Sequence, residues 1–109
     1  MRIAFVSEGE GSLDDEVSPR FGRAPTFVIV ELNGEIKEVK VVKNPGVGSS
    51  GGAGIKAVQK MVDEKVDVVV AGNFGPNSLA ALDGLGIKHV QLPGISIREA
   101  IERLRGSLS

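Results

Sequence analysis

The chain contains no cysteine, no tryptophan and no tyrosine, and its only aromatic side chains are four phenylalanines. The absence of cysteine excludes disulfides and any zinc or iron-sulfur centre held by protein thiolates. Aromatic residues are only 4% of the chain, which argues against stacking platforms for single-stranded nucleic acid. The chemistry that remains available belongs to backbone groups, carboxylates, basic side chains and a single histidine.

Long hydrophobic runs and a strong charge of either sign are also absent. The net charge is -1 and the pI is about 5.8, so no overall cationic field attracts nucleic acid or an anionic membrane. No apolar run reaches the length of a signal-peptide core or of a membrane span. We therefore expect a cytoplasmic protein with no nucleic-acid and no membrane partner. Its 109 residues suit one domain over 1–109 with one core.

Two β-branched runs around Asn33-Gly34 predict an antiparallel hairpin. The runs are TFVIVEL, which starts at Thr26, and EIKEVKVV, which starts at Glu35. Asn-Gly is a strong hairpin signal because both residues can adopt positive φ. The second run alternates only imperfectly between apolar and charged residues. This is typical of a half-exposed outer strand whose charges discourage edge pairing.

The remaining patterns predict an α/β architecture. Apolar runs at 2–6, 66–70 and 87–92 indicate strands, and apolar residues spaced three and four apart indicate helices after 54, 76 and 96. Ser96 and Glu99 match a capping box, and the tail from Gly106 to Ser109 is expected to fray. Together these elements predict a three-layer α/β/α domain. It has a mixed five-stranded sheet, three helices, and strands 1, 4 and 5 parallel.

An acidic loop precedes a short basic segment. Ser7 to Ser18 contains five carboxylates without the spacing of a calcium-binding loop, so a solvated surface loop is expected. It is followed by Arg20-Phe21-Gly22-Arg23. The two guanidinium groups suit carboxylate, phosphate or sulfide-bearing anions. Pairing of these arginines with the acidic loop is an equally good interpretation.

Two glycine-rich segments lie at predicted helix starts. GGAG, from Gly51 to Gly54, precedes one helix, and AGNFGPN, from Ala71 to Asn77, connects a buried strand to the next. Bare backbone at a helix start lets aligned N-H groups approach an anionic ligand. A tight strand-to-helix connection explains the second segment equally well. Because strand ends and helix starts share one edge of such a sheet, we expect both segments to converge with the arginine loop.

Neither a catalytic constellation nor a set of metal ligands is evident. His89 lies in a predicted strand with no cysteine and no second histidine in the chain, so a structural role is the better interpretation. No high-affinity site for free iron or zinc is expected. The first strand, RIAFV, carries no carboxylate, which disfavours a metal-dependent phosphotransfer enzyme.

Three motifs in order give the chain a family resemblance. RFGRAPTFVIV, GGAGIKAVQKMV and VDVVVAGNFGPNSLAAL, the last followed by GIKHV, make the chain resemble the dinitrogenase iron-molybdenum cofactor biosynthesis family. This family comprises the nitrogenase accessory factors and their small archaeal and bacterial relatives, and the resemblance covers essentially the whole chain. It implies a ribonuclease-H-like α/β/α fold with sheet order 3-2-1-4-5 and strand 2 antiparallel to the rest. It also implies no enzyme activity.

The resemblance further implies a carrier function. Family members that serve nitrogenase bind or carry an anionic iron-sulfur cofactor or its precursor, and several have a histidine where this chain has Arg20. The implied ligand is a preassembled anionic iron-sulfur or iron-molybdenum-type cluster, or a related small anion, with a protein partner in cofactor assembly. Alternatives are a protein-interaction module without a cofactor and, less favoured, a metal-dependent phosphotransfer enzyme. The candidate cofactor-binding residues are Arg20, Phe21, Gly22, Arg23, Gly51, Gly52, Gly54, Gly72, Gly75 and Asn77.

Overall fold

The computed structural model describes residues 1–108, which form five strands and three helices. In chain order they are β1 (Arg2–Ser7), β2 (Thr26–Asn33), β3 (Glu35–Lys43), α1 (Ala53–Asp63), β4 (Val68–Ala71), α2 (Pro76–Gly84), β5 (Lys88–Gln91) and α3 (Ile97–Leu108). β4 starts later than predicted because the N-H of Val66 donates to the Met61 carbonyl and so closes the end of α1. The predicted fraying from Gly106 is wrong as far as Leu108, which is helical, and Ser109 lies outside the described residues.

The strands form one sheet in the order β3-β2-β1-β4-β5. β2 is antiparallel to both β1 and β3, whereas β1, β4 and β5 are parallel to one another. Both the predicted strand order and the predicted orientation of strand 2 are confirmed. β1 is central, and from Ile3 to Ser7 every one of its residues is buried.

Successive side chains along each strand point to opposite faces of the sheet, so the core is divided between the two faces. Ala4, Val6 and Phe27 point to the face that carries α1 and α2, where Met61 and Leu82 pack. Ile3, Phe5 and Val28 point to the opposite face, where they meet Ile97, Ala100, Ile101 and Leu104 of α3. The three-layer α/β/α arrangement follows from this division.

The predicted hairpin is present, but its turn differs from the predicted one. Among the described residues only Gly34 of the Asn-Gly pair has positive φ, and Asn33 remains in β2 opposite Glu35. Glu31 pairs with Glu38 and Leu32 pairs with Ile36, so the ladder contains a β-bulge. The bulge explains the imperfect alternation of β3, which is the outer strand as predicted.

The acidic loop lies at the surface and is ordered by hydrogen bonds to one of its carboxylates. One carboxylate oxygen of Asp15 accepts hydrogen bonds from Ser7 Oγ at 2.7 Å and from the N-H groups of Gly11 and Ser12, each at 2.9 Å. Near the end of the loop Val17 is buried in the core under α3. The loop lies at the surface as expected, with Glu10, Asp14 and Glu16 exposed, and the half-buried Asp15 carboxylate orders it through these hydrogen bonds.

These hydrogen bonds determine the charge state of Asp15. Burial alone raises the pKa of the carboxyl group, but the hydrogen bonds from Ser7, Gly11 and Ser12 outweigh burial, so the pKa lies below its ordinary value. A carboxyl group whose pKa is lower in the folded than in the unfolded state stabilises the fold at pH values above its pKa in the unfolded chain. That stabilisation is lost as the pH falls through the folded pKa.

Asp15→Asn is expected to lower the free energy of unfolding at pH 7 by about 1–3 kcal/mol, because an ionised acceptor of three hydrogen bonds is replaced by a neutral amide. The difference from the wild type should shrink below a pH of about 3.9, the ordinary carboxyl pKa, and urea unfolding at pH 7 and at acid pH measures it. The control is Asp14→Asn, because Asp14 is exposed and its carboxylate pairs with Arg98 on the surface. Equal destabilisation by both substitutions would contradict this role.

Candidate functional site

Three loops predicted to converge do meet at one end of the sheet. We call residues 18–23, 51–54 and 72–78 the loop cluster. The N-H of Gly72 donates to the Ser18 carbonyl at 2.7 Å, where β4 ends and the loop after β1 returns. A Cβ atom at Gly22 would lie 3.0 Å from the Gly54 nitrogen, and a Cβ atom at Gly54 would lie 2.5 Å from Ser78 Oγ. The loop cluster therefore lies beyond the carboxyl ends of β1 and β4.

Phe21 anchors the arginine loop in the core. Its side chain is buried, with its ring centroid 5.9 Å from that of Phe27 and 5.4 Å from that of Phe74. The N-H of Arg23 donates to the Arg20 carbonyl at 2.9 Å and closes a turn around the anchor. Phe21 therefore positions the two arginines, both of which are exposed.

The predicted glycines fall into two groups. Gly22, Gly54 and Gly72 are buried or half-buried, and a Cβ atom on any of them would meet neighbouring atoms at about van der Waals contact or closer. Gly51, Gly52 and Gly75 are exposed and have open space where a Cβ atom would be. The first group lets the segments approach one another, and the second leaves backbone accessible to solvent together with Asn77.

Two helices begin in the loop cluster without side-chain caps. The N-cap residues are Gly52 for α1 and Gly75 for α2, and neither first turn contains an acidic residue. Pro76 occupies the start of α2, as predicted. α3 differs, because Ser96 Oγ accepts the N-H of Glu99 at 3.1 Å and Glu99 lies in its first turn. Within the described chain, the positive ends of α1 and α2 are left without side-chain neutralisation.

Among residues 1–108, the guanidinium group of each arginine in the loop cluster has one partner residue. Arg20 pairs with Glu8 at 3.1 Å, and Glu8 also accepts the Ser18 hydroxyl. Arg23 donates to the Ser49 carbonyl. The interpretation that an arginine pairs with the acidic loop is thus correct for Arg20. The Arg20 side chain is 55% exposed, however, and an exposed ion pair contributes only about 0–1 kcal/mol.

Asn44 and Gly46, neither of which was predicted from the sequence, pack against the backbone of the loop cluster. The buried Asn44 donates from Nδ2 to the Phe21 carbonyl and accepts the Gly46 N-H, both at 2.9 Å. A Cβ atom at Gly46 would meet the carbonyl oxygens of Gly22 and Ala53. The only local signal is the turn-forming sequence NPG, which does not reveal contacts with distant residues.

Ser49 adds a polar group that sequence reasoning also missed. Its hydroxyl oxygen is buried and has no hydrogen-bond partner among residues 1–108. Its carbonyl oxygen accepts a hydrogen bond from the Arg23 guanidinium group. A buried hydroxyl without a hydrogen-bond partner is uncommon in folded proteins.

The other candidate groups lie outside the loop cluster. His89 Nε2 lies 2.9 Å from Asp83 Oδ1, and the imidazole meets the edge of the Phe74 ring. An open pocket of about 670 Å³ lies beside the cluster, between the loop after β1 and the end of β3, and none of the predicted site residues lines it. Over residues 1–108 there is no group of three or more histidine, cysteine or acidic side chains that could hold a metal ion.

A family model described as dinitrogenase iron-molybdenum cofactor, Nitro_FeMo-Co, matches residues 1–107. The chain belongs to this family. The Nitro_FeMo-Co assignment confirms the resemblance carried by the three sequence motifs. In residues 1–108 of this family member, no helix has the length and apolar character needed to cross a bilayer.

Relatives of this Nitro_FeMo-Co protein agree in fold and sequence. The apo form of the orange protein from Desulfovibrio gigas is 38% identical with a TM-score of 0.88, covering 97% of this chain and 88% of that one. A NifB-like protein from Thermotoga is 33% identical with a TM-score of 0.79, covering 96% and 87%. The uncharacterised protein MJ0580 from Methanocaldococcus jannaschii is 31% identical over 90 residues, 82% of this chain and 76% of that protein.

Gly46→Ala is expected to lower the free energy of unfolding by about 1–3 kcal/mol or more, because the new methyl group would overlap backbone carbonyls that cannot rotate away. The matched control is Gly51→Ala, since Gly51 has open space at the Cβ position and no positive φ. Thermal unfolding of both variants measures the difference. Similar melting temperatures for the two variants would contradict the supporting role of Gly46.

Proposed function

We propose that this protein is a non-enzymatic carrier that binds a preassembled anionic iron-sulfur or iron-molybdenum-type cluster, or a related small anion, at the loop cluster. The observation that carries the proposal is the pair of uncapped helix starts at Gly52 and Gly75 beside Arg20 and Arg23. Helix N-termini and guanidinium groups both favour negative charge, and here they share one surface. The proposal treats residues 1–109 as a single nitrogenase accessory factor-like domain.

The donors at the site fit an anionic cargo and do not fit free metal ions. The backbone N-H groups at the two helix starts and the two guanidinium groups can donate hydrogen bonds but supply no thiolate or imidazole ligand. A cluster with exposed sulfide would therefore be held by charge and hydrogen bonding, with its iron coordination already complete. In this proposal Arg20, Arg23, Gly51, Gly52, Gly75 and Asn77 contact the cargo. Phe21, Gly22, Gly54 and Gly72 hold the loops in position.

The family relationship supports a ligand of this kind. The family description names the iron-molybdenum cofactor of dinitrogenase, and the Desulfovibrio gigas relative is described as an apo form, a term for a protein that also exists with a bound group. A carrier in a cofactor pathway must receive and deliver its cargo, so a protein partner in cofactor assembly is part of the proposal. An enzyme function has less support, since β1 itself contains no carboxylate and Glu8, which follows it, is paired with Arg20.

Glu8 competes with the proposed cargo for Arg20. Its carboxylate accepts two hydrogen bonds from the terminal guanidinium nitrogen of Arg20, at 3.1 and 3.2 Å. An incoming anion must displace this carboxylate or share the guanidinium with it. Because the ion pair is exposed, the displacement costs little, about 0–1 kcal/mol. We expect Arg20 to exchange one anionic partner for another when the cargo binds.

The combined substitution Arg20→Ala with Arg23→Ala is expected to weaken cluster binding about 100-fold or more. Charge-assisted hydrogen bonds contribute about 1.5–3 kcal/mol each, whereas the exposed pairs lost from the free protein contribute little to stability. Titration with extracted iron-molybdenum cofactor under anaerobic conditions measures the affinity, and thermal unfolding measures stability.

Glu8→Gln is the matched variant, and it is expected to change the affinity for the cofactor in the opposite direction. It removes the competing charge from Arg20 and should strengthen binding of the same cofactor while keeping an acceptor for Ser18. If the double arginine variant loses several degrees of melting temperature but retains its affinity, the arginines are structural and the proposal fails. No change in affinity for either variant would also contradict it.

Asn77→Asp separates ligand binding from stability, because the two should change in opposite directions. A carboxylate in the uncapped first turn of α2 favours the helix by about 0.3–1 kcal/mol. The same carboxylate repels an anionic cargo, so the affinity for extracted cofactor should fall while the melting temperature rises slightly. The substitution changes almost no volume, which makes a packing effect unimportant.

The control is Asn33→Asp, the same chemical change at the hairpin on the opposite end of the sheet. It should leave the affinity unchanged. Unaltered cofactor binding in Asn77→Asp, or an equal loss in Asn33→Asp, would show that the start of α2 is not part of the binding surface.

A further inference from the structure

The outer strand β3 presents a partly exposed apolar row beside an unpaired backbone edge, and the loop at Gly11 lies against Val41 at one end of the row. Ile36, Val39 and Val41 are 37%, 44% and 47% exposed. Their partners on β2 are Leu32, Val30 and Val28, all of which belong to the core under α3. The row therefore extends that apolar face beyond the helix. In the part of the chain that the structure describes, no strand pairs with the outer edge of β3.

Charged side chains usually protect edge strands of this length from pairing with other chains. In β3, Glu38 and Lys40 lie on either side of Val39 in the sequence. Glu38 and Lys40 pair with Glu31 and Ile29, so they lie on the face opposite the exposed valines. Lys40 Nζ is also 2.8 Å from Glu64 Oε1, and its side chain remains 47% exposed. The strand thus has an apolar face and a face of alternating charge.

Geometry limits how two copies could join through this edge. A continuous sheet made of two identical edge strands requires an antiparallel arrangement about a two-fold axis perpendicular to the sheet. One residue on each strand then lies opposite itself. We propose that a second copy of this chain pairs with β3 in the register that places Val39 opposite Val39 of the second copy.

Charge complementarity selects this register. With Val39 on the axis, Glu38 lies opposite the second copy's Lys40, and the same pair recurs on the other side of the axis. Moving the axis to Glu38 or to Lys40 places like charges opposite each other, which is destabilising. Moving it to Val41 places Lys40 opposite Val42 and forms no ion pair. An axis on Ile36 would also place Glu35 opposite Lys37, but it would overlap only residues 35–37 of β3. The register centred on Val39 is the one that both overlaps the whole of β3 and pairs opposite charges.

Apolar contact adds to the charge pairing on the other face. With Val39 on the axis, Val41 lies diagonal to the second copy's Val39, within reach across the strands. The four valines would then cover one another where each chain leaves them exposed. An interface of a single strand pair is small, so the association is expected to be weak and dependent on concentration.

Pairing through β3 goes beyond the proposed cargo binding and does not depend on it. β3 runs parallel to β1, so an antiparallel β3 pair directs the two loop clusters to opposite ends of the extended sheet. Each copy then keeps its own loop cluster open. Association should therefore be the same with and without cofactor, and its test is independent of the affinity measurements.

The chain has no cysteine, so a single introduced thiol can test the register. Val39→Cys places the two thiols directly opposite each other, within the Cα separation that a disulfide spans, whereas Val41→Cys faces Lys37 of the second copy. With oxidised glutathione as the oxidant, Val39→Cys should form covalent dimers about ten times faster than Val41→Cys at equal concentration. The two sites have nearly equal exposure, so they form a matched pair.

Charge exchange provides a second readout by analytical ultracentrifugation. Glu38→Lys and Lys40→Glu should each weaken association about tenfold, because each places like charges opposite each other. The combined substitution should restore association, because lysine and glutamate then face each other again in exchanged positions. Lys88→Glu on β5, the opposite edge strand, is the control and should have no effect. The proposal is overturned by equal cross-linking at the two thiol sites, by absence of rescue in a folded double variant, or by a wild-type chain that stays monomeric at millimolar concentration.

Discussion

The loop cluster depends on backbone segments that approach more closely than side chains permit. Gly22 packs against Gly54, Gly54 against Ser78, and Gly46 against the carbonyls of Gly22 and Ala53. These contacts join the loop after β1 to the starts of α1 and α2. Without them the arginine loop could not lie against the uncapped starts of the two helices. The glycines at these positions are required for the space they leave rather than for unusual backbone angles, since none of the three has positive φ.

The sequence predicts the sheet well because the sheet depends on local, repeated patterns. β-branched runs and the Asn-Gly signal were enough to locate the strands and the hairpin, and the family resemblance supplied the strand order. Details that depend on partners distant in sequence were missed. Val66 completes the end of α1 through Met61, and Asn33 stays in β2 because a bulge shifts the register near Leu32.

The position of the loops at the candidate site could be predicted from local patterns, whereas the contacts of individual residues could not. Glycine-rich loops at helix starts pointed to the loop cluster because open α/β sheets place such loops at one edge. Burial could not be read from the motif, so Phe21 was grouped with the arginines although it lies in the core. Asn44 and Ser49 were missed because their roles come from contacts with residues more than twenty positions earlier in the chain.

Stability and the proposed function make opposite demands on the helix ends. A serine, threonine or aspartate at the N-cap stabilises a helix by about 0.5–2 kcal/mol relative to alanine, and α3 uses Ser96 in this way. α1 and α2 use glycine instead, which leaves N-H groups open to a ligand. In the proposed carrier role, binding by N-H groups and guanidinium groups would leave the iron coordination of a bound cluster unchanged. Release would then require only the exchange of hydrogen bonds and charge pairs, such as the return of Arg20 to Glu8, without breaking a metal-ligand bond. A carrier needs this property, because it must hold its cargo firmly enough to transport it and loosely enough to pass it on.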